Sequence, residues 1–258
     1  MKKTLIALAV AASAAVSGSA MAWTANGIGG SVSLGGQLTP QDNVTPWEVK
    51  VGDSVANLNA VVKKGQNKVS INVVNPIPVL GIRTAQKIPF VAAAGISPQI
   101  NYGTAVDVDA FHASKAPLKL EVKDKNDQKI GFLTSKLTVG SMVSLASQRA
   151  YNNGPVSAAT VGDVFFGGVP KSSDDVLDDR GIVGKIITDA SANYADQGQA
   201  ETSPQRVSII GYKGATMSGY YASGLVSGES IAITLDAPVQ GNDVINWKAT
   251  LPVVVSYQ

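Results

Sequence analysis

The sequence predicts an all-β protein, a sandwich of short antiparallel strands interrupted once by a partly helical insertion. Three observations predict it. Most of the chain reads as period-two alternation bounded by Gly, Pro, Asn and Asp, the pattern of strands with one buried face. Between about Ser147 and Gly198 the alternation stops, and Ala, Asp, Asn and Gly accumulate. Strand-like runs also stand near both ends of the chain: the first has no turn that folds it into a local hairpin, and the last is not followed by another strand.

The elements follow in order. Met1-Lys2-Lys3 is a basic start, Thr4 to Val16 an apolar, alanine-rich run, and Ser19-Ala20-Met21-Ala22 a small-x-small ending. This is the pattern of a signal peptide over residues 1–22, and the apolar run is shorter than the ~20 residues of a membrane-spanning helix. Gly27 to Leu38 then alternates strictly, with Ile28, Gly30, Val32, Leu34, Gly36 and Leu38 on one face and small or polar residues on the other. Its glycines and its lack of a hairpin partner suggest a strand that completes a sheet elsewhere, in another molecule. Trp47–Val51 and Asn67–Val74 alternate again, the latter closed by Asn75-Pro76-Ile77-Pro78.

Leu118–Lys123 and Ile130–Leu133 flank Asp124-Lys125-Asn126-Asp127, a hairpin with an Asx turn. Lys136–Leu145 is a further strand, interrupted at Gly140. Inside the insertion, Ser172 is an N-cap candidate followed by Asp174 and Asp175, and Ile182, Val183, Ile186 and Ile187 recur at helical spacing. Strands resume at Gln205–Tyr212, Gly214–Ser223, Ser230–Leu235 and Trp247–Tyr257. In the last of these, Leu251, Val253, Val255 and Tyr257 share a face.

Composition excludes several chemistries. Cysteine is absent, which removes thiolate metal sites, cysteine nucleophiles and disulfides. The whole chain carries a formal charge of +2, from 21 basic and 19 acidic residues. Without Lys2 and Lys3 the two counts are equal, so nothing points to a nucleic-acid partner. The one histidine, His112, stands near Asp107 and Asp109, but no Gly-x-Ser-x-Gly elbow accompanies it. Asp174, Asp175, Asp178 and Asp179 lack the spacing of a calcium loop, and no phosphate-binding glycine motif occurs. The reading is a non-enzymatic protein without metal or cofactor. Trp47 and Trp247 fit the core, whereas Tyr151, Phe165, Phe166 and Tyr194, in or beside the insertion, are candidate contacts for a carbohydrate.

Several of these residues resemble the FaeG-type, kappa-class chaperone–usher fimbrial subunits of enterobacteria. They are Trp23, the run Gly30 to Thr39, Trp47-Glu48-Val49-Lys50-Val51-Gly52 and Tyr221-Ala222-Ser223-Gly224. Gly228, Ile231, Leu235, Val239, Trp247, Ala249, Leu251, Val253, Val255 and Tyr257 continue the pattern, and Phe166-Gly167 through Ile187 is similar to the family's helical stretch. The likeness is close at both ends and loose over residues 88–168. It departs from the family in lacking a glycine about a dozen residues before Gln258, where Gly241 is the nearest.

The resemblance implies an incomplete immunoglobulin-like sandwich that polymerises by donor-strand exchange. Residues 1–22 would be the signal peptide, 23–39 a donor extension, and 40–258 the domain, with its insertion at about 147–198. Ile28, Val32, Leu34 and Leu38 would fill a neighbouring subunit's groove, with Gly36 or Gly30 where the groove is shallow. Leu251, Val253, Val255 and Tyr257 would pair with a periplasmic chaperone until the next subunit replaces it at an outer-membrane usher. The resemblance further implies a cell-surface fimbrium reached through the periplasm, and adhesion to a host glycoconjugate. The alternatives are a minor fimbrial subunit without receptor binding and an outer-membrane β-barrel. A barrel shares the signal peptide and the alternating strands, but aromatic residues are only 6% of the chain, too few for two girdles.

Overall fold

The computed structural model describes residue 25, residues 34–37 and residues 44–258. The chain divides into two units, 1–43 and 44–258. The second unit carries the strands β1 (Trp47–Val51), β2 (Lys68–Asn72), β3 (Ile77–Thr84), β4 (Phe90–Val91), β5 (Pro98–Asn101), β6 (Lys115–Lys123) and β7 (Lys129–Ala146). They are followed by β8 (Tyr151–Gly154), β9 (Val156–Ser157), the helix α1 (Ile182–Ile186), β10 (Gln205–Arg206), β11 (Thr216–Leu225), β12 (Ser230–Leu235) and β13 (Val254–Tyr257). The main sheet runs β1-β3-β11-β7-β12-β2, with β4 added on β11 and β6 and β8 on β7.

Strand β7 organises this order. Its first half pairs with β6 along Lys129–Thr138 and with β12 along Gly131–Leu133 and Thr134. Its second half pairs with β11 along Thr138–Ala146 and with β8 along Val143–Ala146. Both halves turn apolar side chains to one core: Ile71, Leu118, Val122, Leu133, Leu137, Ile231 and Ile233 from one, Trp47, Leu80, Ile82, Val143, Leu145, Met217 and Tyr221 from the other. The result is an antiparallel immunoglobulin-like sandwich, as the alternation predicts. It is not a barrel: the ends of the sheet path, β1 and β2, do not pair with each other among the described residues. The barrel alternative is therefore corrected, since open edges leave no closed wall.

The hairpin β6–β7 closes through the expected Asx turn, in which Asp124 Oδ1 accepts from the amides of Asn126 at 2.8 Å and Gln128 at 2.9 Å. The expected break at Gly140 does not occur. β7 runs straight through it, and the glycine serves a different purpose. Gly81, Ala222 and Gly140 lie side by side on β3, β11 and β7, on the face turned away from the main core. A Cβ at Gly140 would sit 2.7 Å from Val183 Cγ2, and one at Gly81 2.8 Å from Ile187 Cδ1. The shallow row lets α1 settle on the sheet and form a second core of Met142, Ile182, Val183, Ile186, Ile187, Ala190, Tyr220 and Ala222.

The insertion is thus partly helical, as expected, although its regular helix is short. Ser172 caps a 3₁₀ turn over Ser173–Asp175, its side chain accepting from the Asp174 amide at 3.2 Å. The strand expected at Gln205–Tyr212 shrinks to β10. Val207 and Ile209 remain buried, but residues 209–214 form turns. The alternation there is real, while the ladder it needs is replaced by bonds to the preceding loop, such as Val164 N to Val207 O at 2.9 Å.

Because α1 rests on absent side chains, Gly140→Ala should destabilise the domain by roughly 1–3 kcal/mol, measured by urea unfolding. Gly184 lies within α1 and a Cβ there meets nothing within 4 Å, so Gly184→Ala should instead stabilise by about 0.5–1 kcal/mol.

Candidate functional site

The last eleven or so residues form the least finished part of the sandwich. Trp247, Ala249, Leu251, Val253, Val255 and Tyr257 all pack against the main core, yet each remains half-buried. Between them Lys248, Thr250, Pro252, Val254, Ser256 and Gln258 face solvent. The ladder, however, covers only β13, which pairs with β5 on one side in the register Val254↔Asn101 to Tyr257↔Pro98. Upstream, Lys248 exchanges two main-chain bonds of 2.9 Å with Lys123, and residues 249–253 lie outside any ladder among the described residues. The predicted strand Trp247–Tyr257 thus keeps its alternation throughout and its pairing only at its end. Residues 52–63 are likewise outside any ladder, and Leu58 packs on the same core.

Of the donor-strand candidates, Ile28, Gly30, Val32 and Leu38 lie outside the described residues, as does the 1–22 segment. Leu34 and Gly36 are described: Leu34 is 93% exposed, and a Cβ at Gly36 would meet nothing within 4 Å.

A cavity of about 420 Å³ opens on the outer side of β5 and β13. Its lining includes Asn101, Asp109, Val161, Phe166, Lys171 and Ser256. The wall formed by residues 158–169 is firmly built. Asp163, 1% exposed, accepts at Oδ2 from the amides of Ala159 and Thr160, both at 2.9 Å, and from Arg206 Nε at 2.6 Å. Its Oδ1 has no partner among the described residues. The buried Gln99 side chain donates to the Asp163 carbonyl at 3.0 Å and accepts from the Gly162 amide at 3.0 Å. Ile100 N donates to Phe166 O at 2.8 Å, and a Cβ at Gly167, whose φ is +80°, would overlap the Ile100 carbonyl.

From below, a chain of hydroxyls fixes the same wall. Tyr221 donates to Gly168 O at 3.0 Å and shares a 2.7 Å bond with Tyr102, which shares another of 2.7 Å with Ser223. Burial pushes the Tyr102 phenol up to about 12, against the opposing pull of its bonds to Ser223 and Tyr221. Burial likewise raises Tyr221 well above the ordinary tyrosine range.

The four aromatic candidates are not gathered into one platform. Phe165 is fully buried and stacks with Trp47 and Tyr221 at centroid distances of 5.6 and 5.4 Å, which corrects its reading as a receptor contact. Phe166, its neighbour, is half-buried and lines the cavity. Tyr194 packs edge-on against Tyr220 at 5.0 Å and donates to Asn153 Oδ1 at 2.6 Å, whereas Tyr151 is exposed on β8. Trp47 is core, as expected, with its indole N–H donating to Ile96 O at 2.7 Å. His112 is exposed, and the carboxylate its Nδ1 meets, at 3.3 Å, is Asp175 rather than the Asp107 or Asp109 beside it in sequence. Lys185 holds Asp179 at 2.9 Å and keeps that carboxyl below its ordinary range. No clue in the sequence distinguished Asn101 or Asp109 as cavity residues, since neither stands in a motif.

This sandwich, whose C-terminal run is paired in a ladder only at β13 among the described residues, is of the class found in surface fibre subunits. Over residues 1–258 the chain matches the K88 family of fimbrial major and minor subunits and belongs to it. It is similar to K88 fimbrial protein AC of Escherichia coli, with 28% identity over 287 aligned residues, and to the F41 fimbrial protein of Escherichia coli, with 29% over 286. K88 fimbrial protein AD of the same organism is 27% identical. Each alignment covers the whole of both chains. The protein is a structural subunit of a surface fimbrium, associates with other fimbrial subunits and is not an enzyme.

The buried tyrosines make stability pH-dependent. A phenol that ionises near 10 when unfolded and near 12 when folded favours the folded state below pH 10, and that contribution is lost as pH rises through the folded value. Urea unfolding should therefore show a loss of order 2 kcal/mol between pH 9.5 and 12. Tyr221→Phe, which removes the donor to the Gly168 carbonyl and leaves Tyr102 with Ser223 as its remaining partner among the described residues, should cost about 1–3 kcal/mol at pH 7.

Proposed function

We propose that this chain is a polymerising fimbrial subunit whose sandwich is completed by a strand from a neighbouring subunit, and whose own Gly27–Leu38 completes the next. The observation that carries this reading is the run Trp247–Tyr257: an apolar face seated on the core, only half covered, with a ladder on one side of β13 alone. An added strand would cover Leu251, Val253, Val255 and Tyr257 and give residues 249–253 the pairing they lack. Ile28, Val32, Leu34 and Leu38 have the period-two spacing to do so. Burying four such side chains is worth a gross ~6–12 kcal/mol. Ordering a dozen residues costs ~1–2 kcal/mol each, so a net gain also needs the ladder hydrogen bonds, at ~0.5–1.5 kcal/mol each, and a groove that is already folded when the strand arrives.

That requirement gives the chaperone its part. A periplasmic chaperone would lend a strand to the groove, preventing the edge-to-edge association that an uncovered apolar edge invites. The usher would then exchange it for residues 23–39 of the incoming subunit, with 40–258 as the folded domain. Export to the periplasm would rest on the segment 1–22. Adhesion to a host glycoconjugate completes the reading, with recognition carried by loops on a rigid sandwich.

Val32→Asp or Leu34→Asp should abolish fibre growth while the subunit still co-purifies with its chaperone. Electron microscopy of cells carrying only the variant decides the matter, and fibres of normal length would overturn the reading.

A further inference from the structure

We infer that fimbriae of this protein associate side by side, the lysine-bearing outer face of one copy meeting the carboxylate-bearing insertion of a second copy in a neighbouring fibre. The inference needs only that the chain is a fimbrial subunit, and it holds whichever strand completes the sandwich.

The whole chain is close to neutral, with 21 basic and 19 acidic residues, but its charges are sorted by surface. Strands β2, β6 and β12 and residues 129–138 of β7 carry six lysines against one acid, Glu121. Their side chains away from the core form a flat face. Lys119, Thr134, Ala232 and Ser70 stand in one row, and Glu121, Phe132, Thr234 and Lys68 in the next. Phe132 fixes two of the charges, since the ammonium groups of Lys119 and Lys129 lie 4.3 and 4.2 Å from the centre of its ring. Lys68, Lys119 and Lys136 have no carboxylate partner among the described residues. A face that met only water would be expected to mix the two signs.

The opposite charge is carried by residues 172–201, which hold seven carboxylates against Arg180 and Lys185. This segment covers the outer face of the other layer. The Asp189 carbonyl accepts from Arg83 Nη1 at 2.9 Å, and the Ala195 carbonyl accepts from the Ser144 hydroxyl at 2.5 Å. Near its start the segment is tied down, the Ser114 amide donating to Asp175 O at 2.7 Å and the Leu177 amide to Ser114 Oγ at 2.8 Å. Asp174 and Asp178 flank these anchors, and neither has a cationic partner among the described residues. One copy therefore presents a fixed positive face and a fixed negative one on different sides.

Two such surfaces on one molecule are complementary between copies, and a contact of this head-to-tail kind repeats without closing. A single exposed ion pair contributes little. In a fibre, however, each subunit repeats the contact at a fixed spacing, so small gains add along the length of two fibres. The association thus belongs to the polymer and falls away with salt.

The test follows sheared fibres by light scattering and negative-stain electron microscopy. At about 10 mM salt, where charges act over ~30 Å, wild-type fibres should lie side by side, and at about 500 mM the scattering should fall about fivefold. The double variants Lys68→Glu with Lys136→Glu, and Asp174→Lys with Asp178→Lys, should each stay dispersed at low salt. None of these four side chains makes a hydrogen bond or ion pair among the described residues, so fibre yield should be unchanged. Mixing the two variant fibres should restore association, because one keeps the acidic insertion and the other the basic face. Wild-type fibres that stay single at low salt, or bundles that persist at high salt, would overturn the inference. So would a mixture that stays dispersed. Dispersal by the lysine substitutions alone would assign the basic face to a different anionic partner and overturn the contact between copies.

Discussion

Strand β7 is covered on both faces because its outer face carries no side chain at Gly140, where Ile182 and Val183 cross it. Val139, Val143 and Leu145 point into the main core, while Gly140 and Met142 point outward beneath α1. The same division holds on β11, where Met217 and Tyr221 face inward and Tyr220 and Ala222 outward. A sheet buried on both faces reads as an almost unbroken apolar run, which is why β11 is buried from Met217 through Leu225. The chain has no cysteine, so this second covered face adds burial to a sandwich that has no disulfide to stabilise it.

That double burial also positions the cavity. Tyr221 is held from both sides, by the main core around it and by the strand that α1 covers, so its hydroxyl is a fixed post for Gly168. The wall 158–169 thus takes its shape from β11, although the two are far apart in sequence. A loop so anchored can keep Phe166 partly exposed without losing its geometry.

Much of this was legible in the sequence, and the failures have physical causes. Ser230–Leu235 was read to its ends because it has one wet face and one dry face, which period two reports directly, and Trp47–Val51 keeps the same alternation although only Trp47 is buried and Val49 and Val51 are exposed. Gly140 was misread as a break because a glycine in a strand signals either an interruption or a close approach, and only the packing of Ile182 and Val183 distinguishes them. Phe165 and Phe166 looked equivalent as adjacent aromatics, and no sequence signal foretells that one adopts positive φ. The cavity itself joins residues near positions 101, 109, 166 and 256, whose association depends on long-range pairing that periodicity cannot express.

The C-terminal run differs from an ordinary edge strand in a way that bears on assembly. Edges are commonly protected by charge, proline or shortness. Here Lys248 and Pro252 stand on the outward face, and β13 is only four residues long, so the solvent side is protected. The inward face has no such device: Trp247, Ala249, Leu251, Val253, Val255 and Tyr257 are uniformly apolar and only half covered. A stable monomer would gain by placing a polar residue among them. That none is present fits the strand completion proposed above, which calls for apolar side chains at alternate positions together with a free backbone edge. Gly27–Leu38 has that alternation in its sequence.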